Sequence, residues 1–306
     1  MATAPLPDAP GPARTSATKP DGRPLGDWKT VIATEQSGIA WVVLNRPDKR
    51  NAMSPTLNDE MVEVLDTVAT DDRCQVLVLT GAGSSFTAGM DLKEYFREVD
   101  TLPPIQQEIR RRTAYLWQGP RLRGFPKPTI AMVNGYCFGG GFTPLVSCDI
   151  AVAAEDATFG LSEVNWGIIP GGNVPQAIVH TMSLRDALYY GMTGETFDGR
   201  KAAEMRLVTE AVPAERLRAR VIEIAELLKS KNPTVVRGTK EAVRHIRSMG
   251  WTEAEDYINT KLAAAINTDP EGGRARGLTQ FLDEKSIKPG LQGYSRPAAG
   301  PGGHGR

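Results

Sequence analysis

Residues 127–172 read KPTIAMVNGYCFGGGFTPLVSCDIAVAAEDATFGLSEVNWGIIPGG. Pro128–Asn134 and Cys148–Ala153 are short apolar runs of strand length, and between them Gly135 to Gly141 is a glycine-rich turn opening into a helix. Working outward, Gln75–Thr80 is a buried strand ending at Gly81-Ala82-Gly83. Val31–Thr34 and Ile39–Asn45 form a strand pair around the Gln36-Ser37-Gly38 turn, and Leu207–Val212 is the last strand. Ser54-Pro55 reads as an N-cap followed by an N1 proline. Thr56–Ala69 then spaces Leu57, Met61, Val64, Leu65 and Val68 along one helical face. A second helical stretch is expected from Leu92 to Trp117, and beyond Pro213 the pattern predicts helices over 213–230, 233–248, 252–266 and 271–284. Strand–turn–helix repetition followed by a helical block implies an α/β core with a helical appendage.

The 306 residues carry 36 Lys+Arg against 36 Asp+Glu, so no basic excess is available to neutralise nucleic-acid phosphates. No apolar run approaches the ~18 residues of a membrane span. Cys74, Cys137 and Cys148 are too few and too scattered for a disulfide framework, which points to a reducing, cytoplasmic setting. His180, His245 and His304 neither cluster with cysteines nor form an HxxxH pair, so no metal site is expected. Residues 1–26 hold six prolines and three glycines and lack the apolar core of a signal peptide. They and the tail 292–306 are expected to be disordered. The division that follows is a core over 27–212, carrying the candidate site, and a helical region over 213–291.

Three places can carry chemistry. Ser85 to Leu92 lies between a strand and a helix, and small residues there leave backbone N–H groups accessible, with Asp91 suited to the helix start. Asn134 to Thr143 opens another helix with three glycines in a row. Amides from two such turns, aimed at one carbonyl, would make an oxyanion hole. The third place, Phe159 to Gly167, sets Glu163 among apolar and aromatic neighbours, where burial raises a carboxyl pKa towards the range useful for proton transfer. Each also has a purely structural reading: a turn, a turn, and a cap or ion-pair partner. Gly139–Gly141 does not match the GxGxxG fingerprint and no GxxxxGK[ST] occurs, so nucleotide phosphate binding is not supported.

Together with 127–172, the strings LNRPDKRNAMSPTLNDEM (44–61), FTAGMDLKEYFREVD (86–100) and FLDEKSIKPGL (281–291) resemble the crotonase, or enoyl-CoA hydratase/isomerase, superfamily. AGMDLKEYFREVD and FGLSE-NWGI-PGG resemble its hydroxycinnamoyl-CoA hydratase-lyase subgroup. The resemblance covers about 28–291 and implies a ββα spiral core with a C-terminal helical trimerisation region. It further implies an acyl-CoA substrate, a trimer or dimer of trimers, and no cofactor beyond the CoA the substrate carries.

Carried over residue by residue, the resemblance makes the amides of Met90 and Gly140 the oxyanion hole and Glu163 the acid/base. Ordinary hydratases use two glutamates; here the first position is Thr143, where the subgroup has Ser. Lys49, Ala88 and Leu92 are implied along the CoA path, Ser162 and Trp166 at the thioester end, and Tyr95 at the substrate's phenol. Asn259 stands where the subgroup places a second phenol-binding tyrosine, and Tyr257 is turned to nearly the opposite helix face. Three functions follow: a lyase converting a 4-hydroxycinnamoyl-CoA and water to an aromatic aldehyde and acetyl-CoA, a plain enoyl-CoA hydratase or isomerase, or a non-catalytic scaffold. Zero net charge and an intact Glu163 count against the last. Phe281, Leu282 and Leu262 are the residues expected at the subunit interface.

Overall fold

The strand pair β2 (Val31–Gln36) and β3 (Ile39–Leu44) turns through Ser37 and Gly38, both left-handed at φ 51° and 81°. Such a two-residue turn matches the twist of the strands it joins, so Gln36 faces Ile39 and the register is set from there. A computed structural model of the chain describes residues 21–288, 290 and 292–297. In it, β3 pairs in parallel with β4 (Val76–Gly81), β4 with β6 (Thr129–Val133), β6 with β8 (Ile150–Ala154), and β8 with β11 (Glu210–Val212). β4 and β6 are buried along their whole length, which explains why they read as unbroken apolar runs.

A second sheet runs β10 (Thr196–Asp198), β9 (Thr158–Gly160), β7 (Tyr136–Phe138), β5 (Ser85–Thr87). Each long strand β4, β6 and β8 passes directly into a short strand of this sheet and then into a helical segment. The core is therefore a ββα spiral, with two sheets meeting at the strand ends. The sequence reading missed all four short strands. At three residues each they fall below the length at which alternation is visible, and β7 lies inside the stretch read as a glycine turn.

Helix α1 (Pro55–Thr70) starts as expected: Ser54 Oγ accepts from Leu57 N–H, and Leu57, Met61, Val64, Leu65 and Val68 are buried. The single helix expected over 92–117 is instead broken. A wide π turn covers Leu92–Glu98, a 3-10 turn covers Val99–Thr101, and α2 begins only at Pro104 and runs to Leu116. Leu102-Pro103-Pro104 is the cause, because a residue before proline is pushed out of the helical region; Leu102 sits at ψ 160° and Pro103 at ψ 146°. A second π turn, Trp117–Arg121, follows α2.

Residues 21–26 and 292–297, expected within disordered tails over 1–26 and 292–306, are instead tied to the core. β1 (Arg23–Pro24) pairs with β2, and Arg23 reaches Asp71 at 2.6 Å. At the other end Arg296 ion-pairs with Glu271 and donates to the carbonyls of Lys229 and Lys231, while Tyr294 Oη accepts from Asn232. The expectations for 1–20 and 298–306 lie outside the described residues.

Between β9 and β11 the chain forms α4 (Val174–Thr181), α5 (Leu184–Thr193) and α6 (Gly199–Glu204); α3 (Phe142–Ser147) follows β7. In the C-terminal region α7 (Leu217–Lys229) buries Leu217, Val221, Ile224 and Ala225 against the core. By contrast, α8 (Pro233–Ile246) and α9 (Trp251–Thr268) bury no residue, and α10 (Gly273–Leu282) buries only Gly273. Among the described residues no helix is long and apolar enough to cross a membrane.

What fixes α8 to the core is a charged cluster. Asp149 accepts from Thr129 N–H and Oγ1 and from Arg244, and Lys240 Nζ lies 2.8 Å from it. The Lys240 side chain is 8% exposed, and burial pulls its pKa down despite Asp149. Removing one partner of a buried pair strands the other, at a cost of about 3–5 kcal/mol. Asp149→Ala is therefore expected to lose about 3 kcal/mol of stability in urea unfolding; a loss below about 1 kcal/mol would show that α8 is held otherwise.

Candidate active site

The two glycine-bearing turns meet where the sheets meet. Met53 and Met90 form an isolated parallel bridge: Met53 N–H donates to Gly89 O at 2.8 Å and Asp91 N–H donates to Met53 O at 3.1 Å. Successive N–H groups of extended backbone point to opposite sides, so the Met90 N–H faces away from Met53. Across from it is the 3-10 turn Gly139–Gly141. Gly140 occupies its second position, where an N–H has no partner within the turn. The turns touch so closely that a Cβ on Gly89, itself at φ 86°, would come within 2.7 Å of Phe138 O and 3.0 Å of Gly140 N. Only glycine allows that approach.

Asp91, expected at the helix start, holds this arrangement together with residues that the sequence reading did not single out. Asp91 accepts from the N–H groups of Lys93 and Glu94, capping the π turn, and from Arg46 Nη1 at 3.0 Å. Burial pushes the Asp91 carboxyl up, but the hydrogen bonds from Glu94 N–H and Arg46 outweigh it and hold the group below its ordinary value. Arg46 also donates to Ala52 O and pairs with Glu94. Buried Asn51, at φ 57°, donates to Ala82 O and Ser85 O, accepts from Arg46 N–H, and takes Thr87 Oγ1 on its carbonyl. Thr87 Oγ1 in turn accepts from Gly89 N–H. The available signal was the RPDKRNA loop itself: asparagine among charged residues is the side chain suited to a left-handed position.

Glu163 lies in the 3-10 turn Ser162–Trp166, directly after β9 and Leu161. Its Oε1 is 3.0 Å from where a Cβ on Gly139 would stand, which places the carboxylate beside the Gly139–Gly141 turn. Oε2 is buried with no hydrogen-bond partner among the described residues. Burial raises the pKa of Glu163, opposed only by its own N–H. A half-buried carboxylate with one oxygen left without a partner, next to two free amides, can move a proton at a carbon whose carbonyl those amides polarise.

The structure thus brings Met90, Gly140 and Glu163 together, with Ser162 next to Glu163 in the same turn. Ala88 N–H donates to Arg50 O, so Ala88 lies against the loop that carries exposed Lys49. Leu92 and Trp166 are exposed, at 54% and 64%. Thr143, in α3, is buried; no hydrogen bond joins it to Glu163, and it lines a cleft of about 1400 Å³ bordered by α4 and α8. Tyr95 is buried in the π turn, edge-on to Phe96 at 5.2 Å. Burial pushes its phenol up to about 12, with Tyr115 adding to the rise and Arg111 opposing it. Asn259 is exposed on α9, which packs on α8, and no hydrogen bond among the described residues joins it to Tyr95. Among the described residues no group of three metal-ligating side chains gathers.

The enoyl-CoA hydratase/isomerase family profile matches residues 34–289. The chain belongs to this family. It is 59% identical to the hydroxycinnamoyl-CoA hydratase-lyase of Pseudomonas fluorescens, over 89% of this chain and 98% of that protein. It is 30% identical to the 2,3-dehydroadipyl-CoA hydratase of Escherichia coli, over 84% of this chain and 96% of that one. A solved enoyl-CoA hydratase subunit from Geobacillus kaustophilus superposes with a TM-score of 0.76 at 28% identity, covering 88% of this chain and all of that one. Membership of the enoyl-CoA hydratase/isomerase family and the crotonase fold are therefore shown on both sequence and structure.

The environment of Glu163 has a consequence for stability. Its native pKa is raised, so the folded state holds the proton more tightly than the unfolded chain. The contribution to stability is present at low pH and is lost as pH rises from the ordinary glutamate range through the native value. Glu163→Gln removes that loss. The difference in Tm between variant and parent is expected to favour the variant more at pH 8 than at pH 5; an equal or reversed difference in calorimetry would contradict the burial argument.

Proposed function

We propose that the chain hydrates a 4-hydroxycinnamoyl-CoA thioester and cleaves the adduct to an aromatic aldehyde and acetyl-CoA. The observation that carries this reading is the half-buried Glu163 carboxylate, whose Oε2 is buried without a partner among the described residues, lying beside the Gly139–Gly141 turn, with Thr143 in place of a carboxylate at the other position. The identity to the Pseudomonas fluorescens enzyme supports the substrate class.

In this mechanism Met90 N–H and Gly140 N–H hold the thioester oxygen. Glu163 takes a proton from water as the oxygen adds to Cβ, and returns it to Cα of the resulting enolate. The same carboxylate then takes the β-hydroxyl proton as the Cα–Cβ bond breaks. The aldehyde leaves, and the enolate of acetyl-CoA, held by the same amides, recovers the proton at carbon. One carboxylate thus completes both halves with protons balanced, and the para-hydroxyl feeds electron density into the breaking bond. The amides stabilise charge that develops only in the transition state, so each is worth roughly 10²–10³ in rate. Lys49, Ala88 and Leu92 are assigned to the CoA path, Ser162 and Trp166 to the thioester end, Tyr95 to the ring, and no cofactor is needed beyond the CoA carried in. A plain enoyl-CoA hydratase is favoured by one observation, the exposed Asn259 where the subgroup has a tyrosine.

We also assign a trimeric or hexameric assembly. Leu262, Phe281 and Leu282 are 56%, 41% and 58% exposed on helices that bury almost nothing within the chain, a face that a second copy would cover.

Incubated with feruloyl-CoA, the protein is expected to release the aldehyde and acetyl-CoA in equal amounts. Glu163→Gln should lower that turnover roughly 10²–10⁴-fold with the fold intact. Near-normal turnover by the folded variant would sink the mechanism, and crotonyl-CoA hydration far faster than feruloyl-CoA cleavage would select the plain hydratase. Sedimentation at micromolar concentration is expected to show three or six chains; a stable monomer would contradict the assembly.

A further inference from the structure

The ring end of the site has an unassigned neighbour. Tyr95 is 5% exposed, and its hydroxyl has no hydrogen-bond partner among the described residues. Two residues of α2 act on its titration, Tyr115 raising it and Arg111 lowering it. They stand four apart and so share one helical face. That face is tied to the Tyr95 segment: Arg111 Nη2 donates to Asp100 Oδ1 at 2.9 Å, and Asp100 lies in the 3-10 turn that continues directly from the π turn holding Tyr95. On its other side the Tyr115 ring rests on Gly172, with Cε1 at 3.1 Å from where a Cβ would stand. Gly172 belongs to the segment that runs on from Glu163. Tyr115 therefore spans the gap between the Tyr95 turn and the chain downstream of the carboxylate. It is 44% exposed, and its hydroxyl too has no partner among the described residues.

We propose that Tyr115, rather than Asn259, supplies the second hydrogen bond to the substrate's para-hydroxyl. This rests on the reading of the substrate as a 4-hydroxycinnamoyl thioester. A phenol both donates and accepts, so Tyr95 and Tyr115 can engage one substrate hydroxyl from two sides. The lone tyrosine left by Asn259 thus regains a partner from a different element. Tyr115 is a specificity-determining residue here and takes no part in moving protons at Cα or Cβ.

The test measures binding, so that it stands apart from turnover. In the Glu163→Gln background, dissociation constants are measured by calorimetry for 4-hydroxycinnamoyl-CoA and for unsubstituted cinnamoyl-CoA. Adding Tyr115→Phe is expected to weaken the hydroxylated thioester by roughly threefold to tenfold, the worth of one neutral hydrogen bond, and to leave the unsubstituted one unchanged. Adding Asn259→Ala is expected to change neither. Unaltered selectivity with Tyr115→Phe, or an equal loss for both thioesters, overturns the proposal. So does a selective loss with Asn259→Ala, which would mean that Asn259 arrives from a second copy. Aldehyde release by the parent protein reads the proposed activity separately: its absence with selectivity intact refutes the lyase reading and leaves Tyr115 as the ring-reading residue.

Discussion

Gly89 and Gly140 bring two stretches of backbone from different strand–helix junctions into contact, and the candidate site depends on that contact. Neither turn alone presents two converging N–H groups. Placed 3.0 Å apart, measured from a Cβ position at Gly89 to Gly140 N, they leave two N–H groups at one place. Everything around them holds this spacing. The Met53–Met90 bridge orients one amide, the Arg46–Asp91 pair caps the turn beyond it, and Asn51 with Thr87 ties the strand end to the RPDKRNA loop. These are hydrogen bonds made in the resting protein, so the donors need no reorganisation when charge develops on a bound carbonyl.

The second requirement opposes folding. A carboxylate whose Oε2 is buried without a partner destabilises the native state, and replacing it with a well-paired group would be the stabilising choice. Such a group persists where its proton is to be moved. The cost is offset elsewhere: by a core whose central strands are buried throughout, and by ion pairs such as Asp149 with Lys240 and Arg244 that fix α8. Asp149 is amply paired, whereas Glu163 Oε2 has no partner among the described residues, a contrast that marks Glu163 as the candidate for proton transfer without reference to any relative.

How much of this was legible in the sequence differs by element. Long parallel strands and α1 were readable because burial on both faces, or on one helical stripe, leaves a pattern several residues long. β5, β7, β9 and β10 were not, since three residues carry no period; they exist because the longer strands before β5, β7 and β9 deliver them to one another. The break at Leu102 to Pro104 was written in the sequence and was outweighed by the apolar spacing on either side. Of the site, Met90, Gly140 and Glu163 were visible as turn chemistry and a lone carboxylate, and the family resemblance assigned their roles. Asn51 left only the trace of an asparagine in the RPDKRNA loop, and Arg46 and Thr87 left none, because a residue that positions a backbone amide through tertiary hydrogen bonds has no local signature. Tyr115 was hidden for the same reason: its relation to Tyr95 depends on how α2 is folded back after the proline break.

The central claim is that the Met90 and Gly140 amides hold one thioester oxygen opposite Glu163. A crystal structure of the Glu163→Gln protein with a bound acyl-CoA thioester tests it directly. The account predicts the carbonyl oxygen about 2.7–3.1 Å from both nitrogens, with the residue-163 side chain on the Cα–Cβ bond. A thioester bound with its oxygen bonded to neither amide, or with residue 163 out of reach of Cα and Cβ, would contradict it.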